Sequence, residues 1–437
     1  MKSFPHILRL WLVVTCFIAT SFSTPDRNSP VETAQSKSRS FVKVLDITVE
    51  AGTTYSDVNV GMPYSALVCE FPSKSDLSLT QFNNQKGDSF PLYIITGHDP
   101  DEPLRSPLFI SDSLSMKFSL KTGNFAGKFR LYLIGAPQIK IDKKRYLDKG
   151  NLNCQKPDYV ESYVWREGLA DPIPGRSKHI VKHCIVHHSA SSNTAEDYVN
   201  AVRNIYLYHT EVNGWDDVGY NYLISADGTL FQGRDDLGLG EEDNIKGAHF
   251  CGKNSGTMGV CLIGNFMETK PTDSSLATLR KLLSWKCFKS NIDASGQSRH
   301  PDMSSPLLSH IGGHRDGCAT ACPGDSAYPL IERIRETVSM NVDTCKLSLN
   351  VNDLMKKSIE FYPNPTHGDL YLRTSFKTKS WTADLFKLDG SKIRRASIVN
   401  NHIHLDKSIP SGLYFLRLMD PNASIHVLRR VMISQEP

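Results

Sequence analysis

The chain of 437 residues is too long for one ordinary compact domain, and at roughly 150 residues per domain its length predicts about three. Its 40% hydrophobic and 22% charged residues are typical of globular proteins and exclude wholesale disorder, a collagen-like fibre and a membrane protein with many spans. The 50 basic and 46 acidic side chains nearly balance, so the net charge of +4 does not indicate a nucleic-acid-binding protein.

The first 23 residues have the pattern of a secretory signal peptide. Lys2 and Arg9 precede a short apolar run over 10–19, and small residues follow it up to Ser23. This run is shorter than the about 20 residues that span a bilayer, and no later stretch is long enough. The sequence therefore predicts an exported protein with a signal peptide at 1–23, a linker at 24–40 and no later transmembrane segment.

Residues 41–141 are predicted to form an N-terminal β-sandwich-like domain. Short runs rich in β-branched and aromatic residues are separated by Gly, Pro, Asn and Asp, which favour turns. No motif in this segment indicates a chemical role, so the sequence leaves its function open.

Residues 171–345 alternate strand-like and helix-like patterns. This alternation predicts a central mixed α/β domain in which a β-sheet is flanked by helices. The predicted elements are strands at 183–188 and 259–263, a hairpin at 219–232, and helices at 194–206, 274–289 and 326–340.

Removal of the signal peptide leaves nine cysteines, an odd number. In an exported protein an odd count indicates a free or metal-bound thiol. The remaining eight allow up to four disulfides in 105 pairings, and the sequence does not choose among them.

Three residues of the central domain are candidate metal ligands: His187, His314 and Cys322. Two neutral imidazoles and one thiolate would leave a zinc ion with a net charge of +1 and an open fourth position, which is typical of catalytic sites. A closed structural site is less well supported, because Cys318 and Cys322 have no matching pair elsewhere. The wide spacing of the three residues is weak support by itself.

A series of short motifs in fixed order is more specific than the spacing. The motifs are IVHHSA (185–190), WDDVGYNY (215–222), DGT (227–229), QGR (232–234), GAH (247–249), NSGTMGV (254–260), IGNF (263–266), and GHRD (313–316) followed by CPG (322–324). Over about 178–338 the chain resembles the zinc-dependent N-acetylmuramoyl-L-alanine amidases of the phage lysozyme and peptidoglycan recognition protein type.

The resemblance implies one Zn²⁺ per amidase domain, held by His187, His314 and Cys322, with Tyr220 as the catalytic tyrosine. It also implies the reaction, which is hydrolysis of the amide between N-acetylmuramic acid and L-alanine in peptidoglycan. This chemistry is plausible on physical grounds, since zinc activates water and polarises a carbonyl, and a phenol can donate to the carbonyl oxygen as its negative charge grows.

Four further residues enter through the resemblance. Thr320 stands where phage-type members have a catalytic lysine, and we expect it to have an auxiliary catalytic role. His249, Asn254 and Arg234 are expected to contact substrate, and the alternative for Arg234 is a structural ion pair. His188 is expected to point away from the metal, because successive residues of a strand face opposite sides.

The last segment, 358–437, is predicted to form a small C-terminal β-sandwich. A YPNP start at 362–365, a Gly-x-Tyr strand at 412–414 and a basic final strand resemble the C-terminal sorting domain of type IX secretion cargo. That resemblance implies the type IX secretion machinery as a partner, export through the periplasm and outer membrane, and a secreted or cell-surface product. A carbohydrate-binding sandwich is the alternative.

Two other functions compete with the amidase. One is a non-catalytic module of the same fold that binds muropeptides. The other is a surface adhesin whose N-terminal β domain does the binding. Complete ligands together with Tyr220 favour the enzyme.

Overall fold

We describe the protein from a computed structural model. The described residues are 41–74, 77, 80–94, 103–142, 146, 154–174, 177–193, 195–236, 238, 240–303, 307–357, 359–374, 378, 380–419 and 426–435. The predicted signal peptide and linker lie outside them. The α-helices of these residues are α1 (Ser162–Trp165), α2 (Tyr198–Leu207), α3 (Asp273–Ser290) and α4 (Leu330–Lys357).

The described residues fall into two compact units. The first contains those up to Gln138 together with those of Thr194–Gly214, and the second contains those of Ile139–Asn193 and Trp215–Pro437. Helix α2, which the sequence analysis assigns to the central domain, therefore belongs to the first unit.

The first unit is built on one seven-stranded antiparallel sheet in the order β1-β7-β2-β6-β3-β4, with β5 paired to β2. The strands are β1 (Val42–Val49), β2 (Thr54–Phe71), β3 (Gln81–Asn84), β4 (Ser89–Pro91), β5 (Leu104–Arg105), β6 (Phe109–Lys121) and β7 (Gly127–Ile134). A sandwich has two separate sheets, whereas here the 18-residue β2 pairs with β5, β6 and β7 and shifts register along its length. One sheet thereby encloses an apolar core that includes Phe82, Phe118 and Leu131.

Polar contacts fix α2 in the first unit. Asp197 caps the helix, and its side chain accepts hydrogen bonds from the backbone N–H groups of Val199 and Asn200. The buried Asn204 amide donates to the Ser65 hydroxyl of β2 at 3.1 Å. The Asp112 carboxylate of β6 accepts from the backbone N–H of Asp197. These contacts satisfy polar groups that burial would otherwise leave unpaired.

The second unit contains a five-stranded sheet in the order β10-β9-β11-β8-β14. Its strands are β8 (His183–His188), β9 (Tyr222–Ile224), β10 (Leu230–Gln232), β11 (Thr257–Leu262) and β14 (Ile311–Gly313), and β12 (Gln297–Ser298) pairs with β13 (Leu308–Ser309) beside it. Strands β8, β9, β11 and β14 are parallel, and β8 and β11 are buried along their whole length, as expected of a sheet covered on both faces.

Helices α3 and α4 pack against this sheet. Leu279 and Leu283 of α3 and Ile334 of α4 share an apolar core with Val186 and Val260 of the strands. The mixed α/β prediction for the central region is thereby confirmed, although α4 extends well beyond the predicted end at 340. Because parallel strands end at the same edge, the last residues of β8 and the residue that follows β14 lie near one another.

The C-terminal segment forms two sheets with one shared core. Strands β15 (Glu360–Tyr362), β16 (Asp369–Arg373) and β19 (His402–His404) make the first, and β18 (Lys392–Ser397), β17 (Thr382–Phe386), β20 (Gly412–Met419) and β21 (His426–Ile433) make the second. Leu370 and Ile403 of the first sheet pack with Leu385, Leu416 and Val431 of the second. None of the described helices is long and apolar enough to cross a membrane.

Two disulfides form among the described cysteines, Cys154–Cys345 and Cys251–Cys318. The other cysteines remain thiols, and all of them are buried: Cys69, Cys184, Cys261, Cys287 and Cys322. More thiols are free than the odd count requires, because most of these side chains replace ordinary apolar residues in the cores.

Candidate active site

The three predicted metal ligands converge although they come from distant parts of the chain. His187 lies near the end of β8, His314 directly follows β14, and Cys322 lies in the next loop. All three are buried, and their ligand atoms lie within 4.8 Å of one another. The Cys322 Sγ is 3.7 Å from the His187 Nδ1. Two imidazole nitrogens and a thiol sulfur are the donor set that Zn²⁺ accepts in catalytic sites.

The surroundings of Cys322 have opposing effects on the pKa of its thiol. Burial raises the pKa of its thiol to about 12, while a backbone hydrogen bond from His188 and the charge of Arg315 lower it. The His188 N–H donates to the Cys322 Sγ at 3.3 Å, and the Arg315 N–H donates to the Cys322 carbonyl at 3.0 Å. These hydrogen bonds hold the loop in a position where the Cys322 sulfur accepts a hydrogen bond. A bound cation would supply the positive charge that stabilises the thiolate.

A chain of hydrogen bonds fixes which nitrogen of His187 is available. The Thr257 hydroxyl donates to the Asn254 carbonyl at 2.8 Å, so its oxygen accepts from the His249 Nε2 at 3.3 Å. His249 Nδ1 is then an acceptor and takes the proton of His187 Nε2, 3.0 Å away. This leaves the lone pair of His187 on Nδ1, the nitrogen that faces Cys322.

His249 can serve in this chain because it stays neutral. Burial lowers its pKa to about 3, and the positive charges of Arg234 and His179 act in the same direction. Glycine makes room for its ring, since a Cβ at Gly247 or at Gly259 would lie 2.6 Å from His249 Cδ2. The structure thus places His249 behind His187, one of the predicted metal ligands, and its predicted contact with substrate stays a prediction.

Tyr220 lies beside the ligand cluster. Its ring centroid is 5.2 Å from that of His187, and its side chain is only partly buried. The Arg234 N–H donates to the Tyr220 carbonyl at 2.9 Å, which holds the backbone of this residue. The Tyr220 ring is therefore held next to His187, one of the three converging residues.

The other three predicted residues make contacts within the protein. The Thr320 hydroxyl accepts from the Cys322 N–H at 3.1 Å, so it supports the ligand loop. The Asn254 side chain accepts from the N–H groups of His249 and Phe250 at 2.7 and 2.9 Å. Arg234 is 2% exposed and pairs with Asp216 at 2.7 Å, which is the structural alternative considered above. His188 points away from the ligands, as predicted, and its Nδ1 accepts from the Phe266 N–H.

Sequence reasoning missed two contributors to the site. One is Thr257, whose hydroxyl sets the histidine tautomers, although it lies within the NSGTMGV motif. The other is the Cys251–Cys318 disulfide, which lies beside His314, with the Cys251 Sγ 3.5 Å from His314 Nε2. No short pattern marks either one.

Comparison with known proteins identifies two regions of the chain. Residues 177–325 match the family model described as N-acetylmuramoyl-L-alanine amidase, and residues 360–434 match the model described as secretion system C-terminal sorting domain. Peptidoglycan recognition protein 1 of Bos taurus is 30% identical over 168 residues, which are 38% of this chain and 78% of the relative.

Two further matches were found. The N-acetylmuramoyl-L-alanine amidase of Homo sapiens is 32% identical over 130 residues, covering 30% of this chain and 19% of the relative. Among solved structures, bumblebee PGRP-SA is 26% identical with a TM-score of 0.33, covering 40% of this chain and 94% of that one.

Proposed function

Because the chain belongs to the family of N-acetylmuramoyl-L-alanine amidases and peptidoglycan recognition proteins, we propose that its central region is a zinc-dependent amidase. The substrate is peptidoglycan, and the bond cleaved is the amide between N-acetylmuramic acid and L-alanine. The observation that supports this most is the complete donor set of His187, His314 and Cys322 within 4.8 Å.

Different residues of the site would have different roles in this reaction. A zinc ion bound by the three ligands would activate a water molecule and polarise the scissile carbonyl. His249 and Thr257 keep the lone pair of His187 on Nδ1, so that this ligand is oriented before the metal arrives. The Tyr220 hydroxyl donates to the carbonyl oxygen as its negative charge grows.

Recognition without cleavage is the competing function in this family. The donor set supports catalysis, since its three protein ligands leave a position open for water, as catalytic zinc sites do. Tyr220 adds a phenol whose ring lies beside His187, and simple binding does not require such a donor.

The test is to incubate the purified chain with bacterial peptidoglycan, with and without a zinc chelator, and to analyse the soluble products by mass. We expect stem peptides with a free L-alanine amino terminus, and we expect the chelator to abolish them. Metal-loaded protein that is retained on the wall but releases no peptide would establish the recognition function instead.

Tyr220→Phe separates the tyrosine from the metal. Losing one donor to a developing oxyanion lowers kcat by about 10²–10³, and zinc content should not change. Tyr163→Phe is the matched control, since Tyr163 is 69% exposed on α1. Full activity of Tyr220→Phe would remove the tyrosine from the mechanism.

We also propose that the C-terminal segment directs export by the type IX route, with the enzyme reaching the cell surface or the medium. The family match over 360–434 supports this. Deleting 358–437 should keep the protein inside the producing cells, as measured by immunoblotting of cell and medium fractions, and unchanged export would refute it.

A further inference from the structure

The Cys251–Cys318 disulfide lies against a proposed metal ligand. The Cys251 Sγ is 3.5 Å from His314 Nε2, and Cys318 follows His314 by four residues. The two sulfurs and a nitrogen of His314 lie within 4.8 Å of one another, as close as the atoms of the catalytic set. His314 therefore belongs to two clusters of metal-binding atoms, and the disulfide determines whether the second can bind.

The two loops that carry these cysteines are joined by more than the disulfide. The Lys253 ammonium donates to the Gly317 carbonyl at 2.6 Å, which links the two loops, and within the second loop the Cys318 N–H donates to the His314 carbonyl at 3.2 Å. Gly317 packs so closely on Phe250 that a Cβ there would lie 2.2 Å from the phenyl ring. When the disulfide opens, these contacts keep both thiols beside His314.

We propose that reduction of this disulfide creates a second metal site formed by Cys251, Cys318 and His314. A dithiol reductant transfers two electrons and two protons to the disulfide, which becomes two thiols while the reductant becomes a cyclic disulfide. Binding of a soft divalent ion then displaces the two thiol protons. Two thiolates and one imidazole suit Zn²⁺ or Co²⁺, and the two thiolate charges exceed the single one of the catalytic set.

The second site competes with the catalytic site. A neutral imidazole has one lone pair, so His314 can serve only one ion at a time. In the reduced protein the ion is held by Cys251 and Cys318, away from His187 and Cys322. In the oxidised protein the sulfurs are blocked and the catalytic set takes the ion. This regulation rests on the proposed amidase function, and it makes the enzyme active only where disulfides form.

The test uses Co²⁺ as the probe and thiolate-to-cobalt charge-transfer absorbance as the readout. The full chain is titrated with Co²⁺ when oxidised and again after reduction by a dithiol that is removed without air. We expect absorbance per bound ion to rise about twofold on reduction, because two thiolates replace one. An unchanged spectrum in the reduced protein would overturn the proposal and leave the disulfide a purely structural link.

Variants make the result specific. The double variant Cys251→Ser, Cys318→Ser should show the same spectrum with and without reduction, whereas Cys154→Ser, Cys345→Ser should still show the rise. His187→Ala removes a ligand of the catalytic set only, so its reduced form should keep Co²⁺ with the two-thiolate spectrum, and loss of binding there would also overturn the proposal. Failure of the amidase proposal looks different, since oxidised protein would then give the one-thiolate spectrum without releasing stem peptides.

Discussion

Two buried polar clusters, one in the central region and one in the C-terminal segment, differ in how their charges are matched. The fully buried Asp384 carboxylate forms ion pairs with Arg395, Lys392 and Arg417 at 2.7–3.0 Å. The hydrogen bonds from these side chains lower the pKa of Asp384, and the bond from Arg395 has the largest effect. The cluster of His187, His314 and Cys322 consists only of electron-pair donors. A buried charge that meets opposite charges within the chain serves structure, whereas a cluster built of like donors suits a cation.

The most direct test of this difference removes one donor from the cluster of His187, His314 and Cys322. Cys322→Ser replaces a thiolate ligand with a neutral hydroxyl, so we expect zinc affinity and amidase activity to fall by more than about 100-fold, beyond what changes behind the ligands cost. Metal analysis and product release measure the two effects. Cys69→Ala is the control, since it removes a buried thiol of the first unit. Retention of zinc and activity in Cys322→Ser would refute the ligand assignment.

Changing the residue behind the ligand should have a smaller effect. His249→Ala removes the acceptor that orients His187, and losses of this kind are about 10- to 100-fold in metal affinity. Competition with a chelator of known zinc affinity gives the value. His310→Ala is the matched control, because the His310 Nδ1 contacts the Asp293 carbonyl outside the site. Equal affinities of the two variants would leave His249 without a positioning role.

Acidification should destabilise the central region through His183. Burial lowers the pKa of this fully buried residue to about 4, partly offset by its bond to the Ser309 carbonyl. The unfolded chain takes up the proton near pH 6.5, so the stability is complete above that pH and is lost as pH falls towards about 4, by at most about 1.4 kcal/mol per pH unit.

Urea unfolding of the central region between pH 7 and 4 measures this loss. His183→Gln should show a shallower pH dependence than the wild type, whereas the exposed His367→Gln should match the wild type. Identical slopes for all three proteins would contradict the role of His183.

Mutation of the cluster at Asp384 should change the stability of the protein but not its zinc content or activity. Asp384→Asn removes the negative charge that accepts hydrogen bonds from Arg395 and Arg417, so the C-terminal unfolding transition should move to lower urea. Zinc content and amidase activity should not change, because the chain then keeps its whole donor set. Asp389→Asn, in an exposed turn, is the control, and a loss of zinc in Asp384→Asn would end the distinction between the clusters.

The sequence predicted those features that have a local signature. An apolar run followed by polar residues marked the strand that ends at His188, and the order of the motifs predicted Tyr220 and the three residues whose donor atoms converge, His187, His314 and Cys322. The mixed α/β architecture followed from the alternation of periods, which is visible without tertiary contacts.

Features that depend on distant contacts were not predictable. The packing of α2 in the first unit rests on pairs such as Ser65 and Asn204, which are 139 residues apart and belong to no motif. The tautomer of His249 depends on the direction in which the Thr257 hydroxyl donates its proton, and the spacing of residues in the sequence does not reveal that direction. The pairing of Cys251 with Cys318 was one choice among many, because cysteine positions carry no information on their partners.

The other disulfide gives the molecule a topology that its linear sequence hides. Cys154 and Cys345 are 191 positions apart, so the chain between them is a closed covalent ring that contains all three proposed ligands. A protease that cuts within the ring leaves one connected molecule, whereas a cut after Cys345 sheds the C-terminal segment. Proteolysis can therefore remove either flank while the three proposed ligands remain in a single covalently connected piece.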